Sequence, residues 1–120
     1  MKEFEKIINT AWDKRDKIDS KSDQSIINAI KETIELVDKG KIRVAEKING
    51  EWITHQHIKK AIMLSFRIHE MEHLKGPYSS WFDKSNLVRG KTAGWGKDEF
   101  LKAGFRMVPN SPVRKGSFVG

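Results

Sequence analysis

His69, Glu70, Met71, Glu72 and His73 spell H-E-x-x-H, the spacing at which two imidazoles one helical turn apart hold zinc and the glutamate between them acts as a base. The motif needs a third ligand. In its longer form that ligand falls at Ser79, which is no zinc ligand, and in a shorter form it would have to be Glu99, a carboxylate on a separate short helix. Gly76-Pro77 follow closely, so the competing reading is a polar helix end whose histidines sit near the negative pole of the helix dipole. His55 and His57 are two apart, on one face of a strand but on different faces of a helix start. Without an accompanying cysteine or carboxylate cluster, packing or capping accounts for them more simply than a metal pair, and no metal site is expected.

Charge suggests a second chemistry. The 120 residues carry a formal net charge of +7 with a pI near 9.7, which suits an anionic partner such as nucleic acid, a phosphate-bearing cofactor or a carboxylate substrate. The excess is uneven. From Asp83 onward, Lys84, Arg89, Lys91, Lys97, Lys102, Arg106, Arg114 and Lys115 face only Asp83, Asp98 and Glu99. With Trp81, Trp95 and Phe105 interleaved, this third could form a nucleic-acid surface. However, no helix concentrates the lysines and arginines into a stripe and no motif of that class is present, so a solvated face is the plainer reading.

The elements that must position these groups follow from periodicity. Phe4, Ile7, Ile8, Ala11 and Trp12 recur at the spacing of one helical face. Ser20 or Ser22 can cap a second helix with an apolar stripe of Ile26, Ile27, Ile30, Ile34 and Val37, and Gly40 is placed to end it in a left-handed conformation. Residues 43–54 predict a β-hairpin about an Asn49-Gly50 type I′ turn, pairing Ile48 with Glu51 and Lys47 with Trp52. Val44, Ile48 and Ile53 then share one face, which Glu46 interrupts. Thr54 can cap a third helix whose stripe is Ile58, Ala61, Ile62, Leu64, Ser65 and Ile68, leaving Lys59, Lys60 and Arg67 to solvent.

Beyond Gly76-Pro77 the sequence reads as a loop-rich stretch pinned to the core by Trp81, Phe82 and Trp95, then a short helix over 98–103 ended by Gly104 and a strand over 105–109. Val113 and Val119 stand six apart in VRKGSFVG, the form of one turn of a hexapeptide-repeat β-helix. A single such turn cannot bury its corner residues without stacked neighbours, so a longer parent protein is expected. One core is expected for this length. The absence of cysteine excludes disulfides and a thiol nucleophile, and the lack of an apolar leader or membrane-length run favours a cytoplasmic, non-membrane protein.

Taken together, IINTAWDKRDKI, RVAEKINGEW, THQHIKKAIMLSFRI, WFDK, GWGKDEF and GFRMVP resemble the N-terminal domain of bacterial tetrahydrodipicolinate N-succinyltransferases, over nearly the whole chain. The departures are SNLVRGKTAGWGK between Lys84 and Lys97, and His69 to Tyr78. The resemblance implies an α+β fold: a mainly helical domain of three to four helices with one hairpin (residues 1–108), leading at 109–120 into a left-handed parallel β-helix. It further implies a homotrimer, no cofactor bound by this portion, succinyl-CoA as co-substrate of the whole enzyme, and acid/base residues beyond Gly120. No nucleic acid or membrane partner is implied. Arg106 in GFRMVP becomes a substrate-binding residue, a role to which a guanidinium is suited because it grips a carboxylate in a bidentate fork. Arg114 and Lys115 receive no role from the resemblance.

Overall fold

The computed structural model describes residues 2–84 and 90–120. Three helices form the core: α1 (Lys2–Asp13), α2 (Gln24–Asp38) and α3 (Gln56–Ile68), each packed against the other two. Their predicted stripes meet there. Ile8, Ala11, Ile27, Ile30, Ala61, Leu64 and Ile68 are buried together, and Phe4, Ile7, Trp12, Ile26 and Ile34 pack around them. Thr33 is fully buried as well, its hydroxyl satisfied by donating to the Ala29 carbonyl at 2.7 Å. Lys60 departs from its expected solvent position, because its ammonium reaches Asn9 Oδ1 at 2.9 Å and ties α3 to α1.

The first hairpin has the predicted register. Strands β1 (Ala45–Ile48) and β2 (Glu51–Thr54) pair Ile48 with Glu51 and Lys47 with Trp52 about a turn in which Asn49 and Gly50 both have positive φ. Glu46, the charge that interrupts the apolar face, accounts for itself by meeting His55 Nε2 at 2.8 Å. The expected caps differ. Thr54 remains in β2, and His55 occupies the N-cap of α3, where its amide donates to the Val44 carbonyl at 2.7 Å and closes the hairpin. The serines before α2 are engaged elsewhere: Ser22 Oγ accepts from the Asp19 amide, Ser20 donates to Glu70, and Asp23 takes the N-cap position. Gly40 does adopt the left-handed conformation, with φ +69°.

A second hairpin replaces the expected loop. β3 (Met71–Lys75) pairs antiparallel with β4 (Ser80–Lys84), and Gly76 to Ser79 make its turn, with the Gly76 amide donating to the Ser79 carbonyl at 2.8 Å. Gly76-Pro77 thus reverses the chain instead of ending regular structure. Trp81 lies over Gly76, where a Cβ would have no room, and is half-exposed, while Phe82 is 68% exposed. Neither ring pins this segment to the core.

Helix α4 (Lys97–Ala103) ends at Gly104 in the left-handed conformation, as its sequence predicts. The predicted strand over 105–109 does not form: the segment has no partner strand among the described residues, and Pro109 lacks an amide to donate. Residues 109–120 contain two turns and no strand, so the described tail shows no β-helix turn. The divergent segment expected between Lys84 and Lys97 lies partly outside the described residues, at 85–89, as does Arg89.

Candidate functional site

The folded chain disperses the H-E-x-x-H motif. His69 is the residue after α3, with Nδ1 2.6 Å from the Ser65 carbonyl; Glu70 accepts from Ser20; and His73 lies in β3 opposite Phe82. The two histidines therefore share no helical face, and the expected helix through residue 73 is corrected to a helix end followed by a strand. Glu99 is also committed, its carboxylate accepting the Gly96 amide at 2.8 Å at the start of α4. His55 and His57 each face a carboxylate, Glu46 at 2.8 Å and Glu5 at 3.8 Å, and their rings lie edge to face at 6.2 Å. Among the described residues no group of three or more His, Cys, Asp or Glu side chains could hold a metal ion.

A different ionic centre sits at the end of α2. Asp38 is 8% exposed and lies where the helix dipole disfavours a negative charge. Three donors compensate: Lys91 Nζ at 3.1 Å, Lys115 Nζ at 3.3 Å and the Gly116 amide at 2.8 Å. Lys91 also donates to the Asp38 carbonyl at 2.8 Å, capping the helix, and its own amide donates to the Val113 carbonyl. Burial works to raise the Asp38 pKa, but the Gly116 and Lys91 hydrogen bonds and the Lys115 and Lys91 charges outweigh it and hold the carboxyl below the usual carboxylate value. Glu35, bonded first to Lys115 and then to Lys39, is held low as well. Desolvation works against the Lys115 charge, yet Glu35 and Asp38 together raise its pKa.

This clasp positions the segments around Arg106. Lys91 lies 5.9 Å from the centroid of the Trp95 ring, and Trp95, Phe100 and Phe105 form an aromatic trio with centroids 5.2 to 6.0 Å apart. Phe105 fixes the chain just before Arg106, and Met107, just after it, accepts from Thr92 at 3.5 Å. Arg106 itself is exposed and has no hydrogen-bond or ion-pair partner among the described residues. It lines an open groove of about 480 Å³ with Lys97, Phe100, Leu101, Gly104, Phe105 and Met107. A cation over an apolar floor, on a backbone held from both sides, can receive a carboxylate attached to a carbon skeleton.

Residues 3–68 match the family described as "Tetrahydrodipicolinate N-succinyltransferase N-terminal". The chain belongs to this family. Enzymes named 2,3,4,5-tetrahydropyridine-2,6-dicarboxylate N-succinyltransferase are similar along the whole chain. The protein of Pelagibacter ubique is 68% identical, covering all of this chain and 44% of its own length. That of Nitrosomonas europaea is 41% identical and that of Actinobacillus succinogenes 44%, over 99% of this chain and 43% and 42% of theirs. The chain thus spans less than half the length of these succinyltransferases.

Arg106 lies beyond residues 3–68, the part matched by the family description, but inside the similarity to the Pelagibacter ubique enzyme, which covers all of this chain. Residue-type reasoning had reached Arg106 only through the resemblance. It missed Asp38 and Lys91 because 53 residues separate them in sequence. The available signal was one: an aspartate in the last turn of a helix is electrostatically misplaced and calls for cations from elsewhere. The cation-rich third reads differently once folded, because Lys91, Arg114 and Lys115 are engaged with Asp38, Asp83 and Glu35. Charges spent internally are not available to a phosphate backbone.

Proposed function

We propose that this chain is the N-terminal, substrate-side part of an enzyme that transfers the succinyl group of succinyl-CoA to the amino group of ring-opened tetrahydrodipicolinate, a step toward diaminopimelate and lysine. Arg106 receives a carboxylate of the acceptor. The observation that carries this reading is Arg106, exposed at an apolar groove and unpaired among the described residues, in a chain similar throughout to enzymes whose name specifies a dicarboxylate. The acyl-donor site and the acid/base groups belong to the rest of the protein. That remainder continues from residues 109–120 as a left-handed β-helix, and the enzyme works as a cytoplasmic homotrimer. Chemically, the acceptor amine attacks the thioester carbonyl directly, a base takes its proton, and coenzyme A leaves as the thiol. A chain without cysteine suits transfer that forms no thioester on this portion of the enzyme.

The test is Arg106→Ala in the full-length protein, followed by thiol release. Loss of a charge-assisted pair to the acceptor predicts a KM for the dicarboxylate raised about 10- to 100-fold, with the KM for succinyl-CoA unmoved. Unchanged kinetics for both substrates would remove Arg106 from the site.

A further inference from the structure

The groove at Arg106 is lined by a second cation, Lys97, that is unpaired among the described residues. Lys97 and Leu101, at i and i+4, share one face of α4 and line the groove with Gly104, the residue that ends the helix. The chain then reverses through Gly104, φ +77°, and Phe105, Arg106 and Met107 line the same groove. Lys97 is exposed and, like Arg106, has no hydrogen-bond or ion-pair partner among the described residues. The helix rise places Lys97 about 10 Å along α4 from the Gly104 reversal. Two cations lining one largely apolar groove suit a ligand with two anionic groups joined by an aliphatic chain better than a compact anion that one guanidinium would satisfy.

We propose that Lys97 is a specificity-determining residue that receives the second carboxylate of an open-chain dicarboxylate whose first carboxylate is held by Arg106. This inference rests on the proposed role of Arg106. Phe100 and Leu101 cover the methylene chain between the two ends. The Lys97 ammonium is a solvated point charge on a flexible stem, so it contributes selectivity more than affinity. Arg106, with its planar fork, supplies the anchor. A monocarboxylate of the same length would use Arg106 and the apolar wall but leave Lys97 in water.

The test uses the full-length protein and Lys97→Met, which keeps an apolar stem and removes the charge. Straight-chain dicarboxylates from glutarate to suberate, and their monocarboxylate counterparts, are titrated by calorimetry. The parent protein is expected to prefer a dicarboxylate over its monocarboxylate by roughly fivefold, the scale of an exposed ion pair. Lys97→Met should bring that ratio to about one with monocarboxylate affinity unchanged, and Lys97→Arg should restore the preference. If the parent shows no preference, or if Lys97→Met weakens both ligand classes equally, the assignment is overturned. If Lys97→Met leaves the preference intact while Arg106→Ala abolishes binding of both classes, Lys97 is excluded and Arg106 stands. If Arg106→Ala also leaves binding unchanged, the site reading falls and the assignment of Lys97 falls with it.

Discussion

Asp38 offers the sharpest test of how this domain holds its site together. Asp38→Ala deletes the acceptor of the Gly116 amide and the carboxylate partner of Lys91, whose side chain is only 8% exposed. Stranding one member of a buried pair costs about 3–5 kcal/mol. The loss here is smaller, because Lys91 keeps the Asp38 carbonyl at 2.8 Å and Lys115 keeps Glu35 at 3.0 Å. We expect about 2–3 kcal/mol for Asp38→Ala, and about 1–2 kcal/mol for Asp38→Asn, whose amide oxygen still accepts from Gly116. Against a total stability of about 5–15 kcal/mol this is a large fraction. Urea unfolding followed by far-ultraviolet circular dichroism should show the midpoint of the alanine variant lowered by about 1 M at unchanged slope. A cycle with Lys91→Met isolates the pair and should give a coupling of about 1–2 kcal/mol. Both Asp38 variants falling within about 0.5 kcal/mol of the parent would refute the clasp as a stabilising contact.

The carboxylates and lysine of the clasp also set a pH dependence. Because the folded-state pKa values of Asp38 and Glu35 lie below their unfolded values, the unfolded chain binds more protons as these groups titrate, and stability rises with pH through that window. Their contribution is complete above the ordinary carboxylate range near pH 4 and is lost on acidification below it, so unfolding between about pH 5 and pH 2 should show a slope that Asp38→Asn reduces. Lys115 has the opposite sign: its raised pKa stabilises the fold up to the ordinary lysine value, and that contribution fades only at higher pH. Gly40→Ala forces a Cβ onto a backbone at φ +69° and to 2.7 Å from the Phe118 ring. Phe118 is half-exposed and can swing away, so the backbone dominates and a cost of about 1–2 kcal/mol is expected, with faster amide exchange at Gly116. Gly50→Ala, at φ +84° with open space around it, is the comparison and should leave exchange at Gly116 unaltered.

The candidate site was only partly legible in the sequence. Arg106 was reachable through GFRMVP, and the short helix ended by Gly104 through its own residues, but not the groove they make, because a groove depends on how two walls face each other. The fate of the H-E-x-x-H spacing was not legible for a related reason. Its chemistry depends on a helix that continues past Ile68, whereas the chain leaves α3 there and pairs Met71–Lys75 with Ser80–Lys84. Gly76-Pro77 is compatible with either a stop or a turn, and only the partner strand distinguishes them.

What the sequence determined by itself is what local physics controls: three helices from the 3.6-residue recurrence of their apolar residues, and the register of the first hairpin from Asn49-Gly50. Left-handed termination at Gly40 and Gly104 belongs with these, since it needs no Cβ more than it needs any neighbour. The tertiary structure decided how charge is spent. Lys91 and Lys115 look like any other surface cations until α2 presents Asp38 to them, while Lys97 and Arg106, at one groove, are unpaired among the described residues. Hydrogen bonds act only at contact distance and charge pairs weaken with separation and salt screening, so which cation is structural and which is left for a ligand is fixed by distances that residue order does not carry.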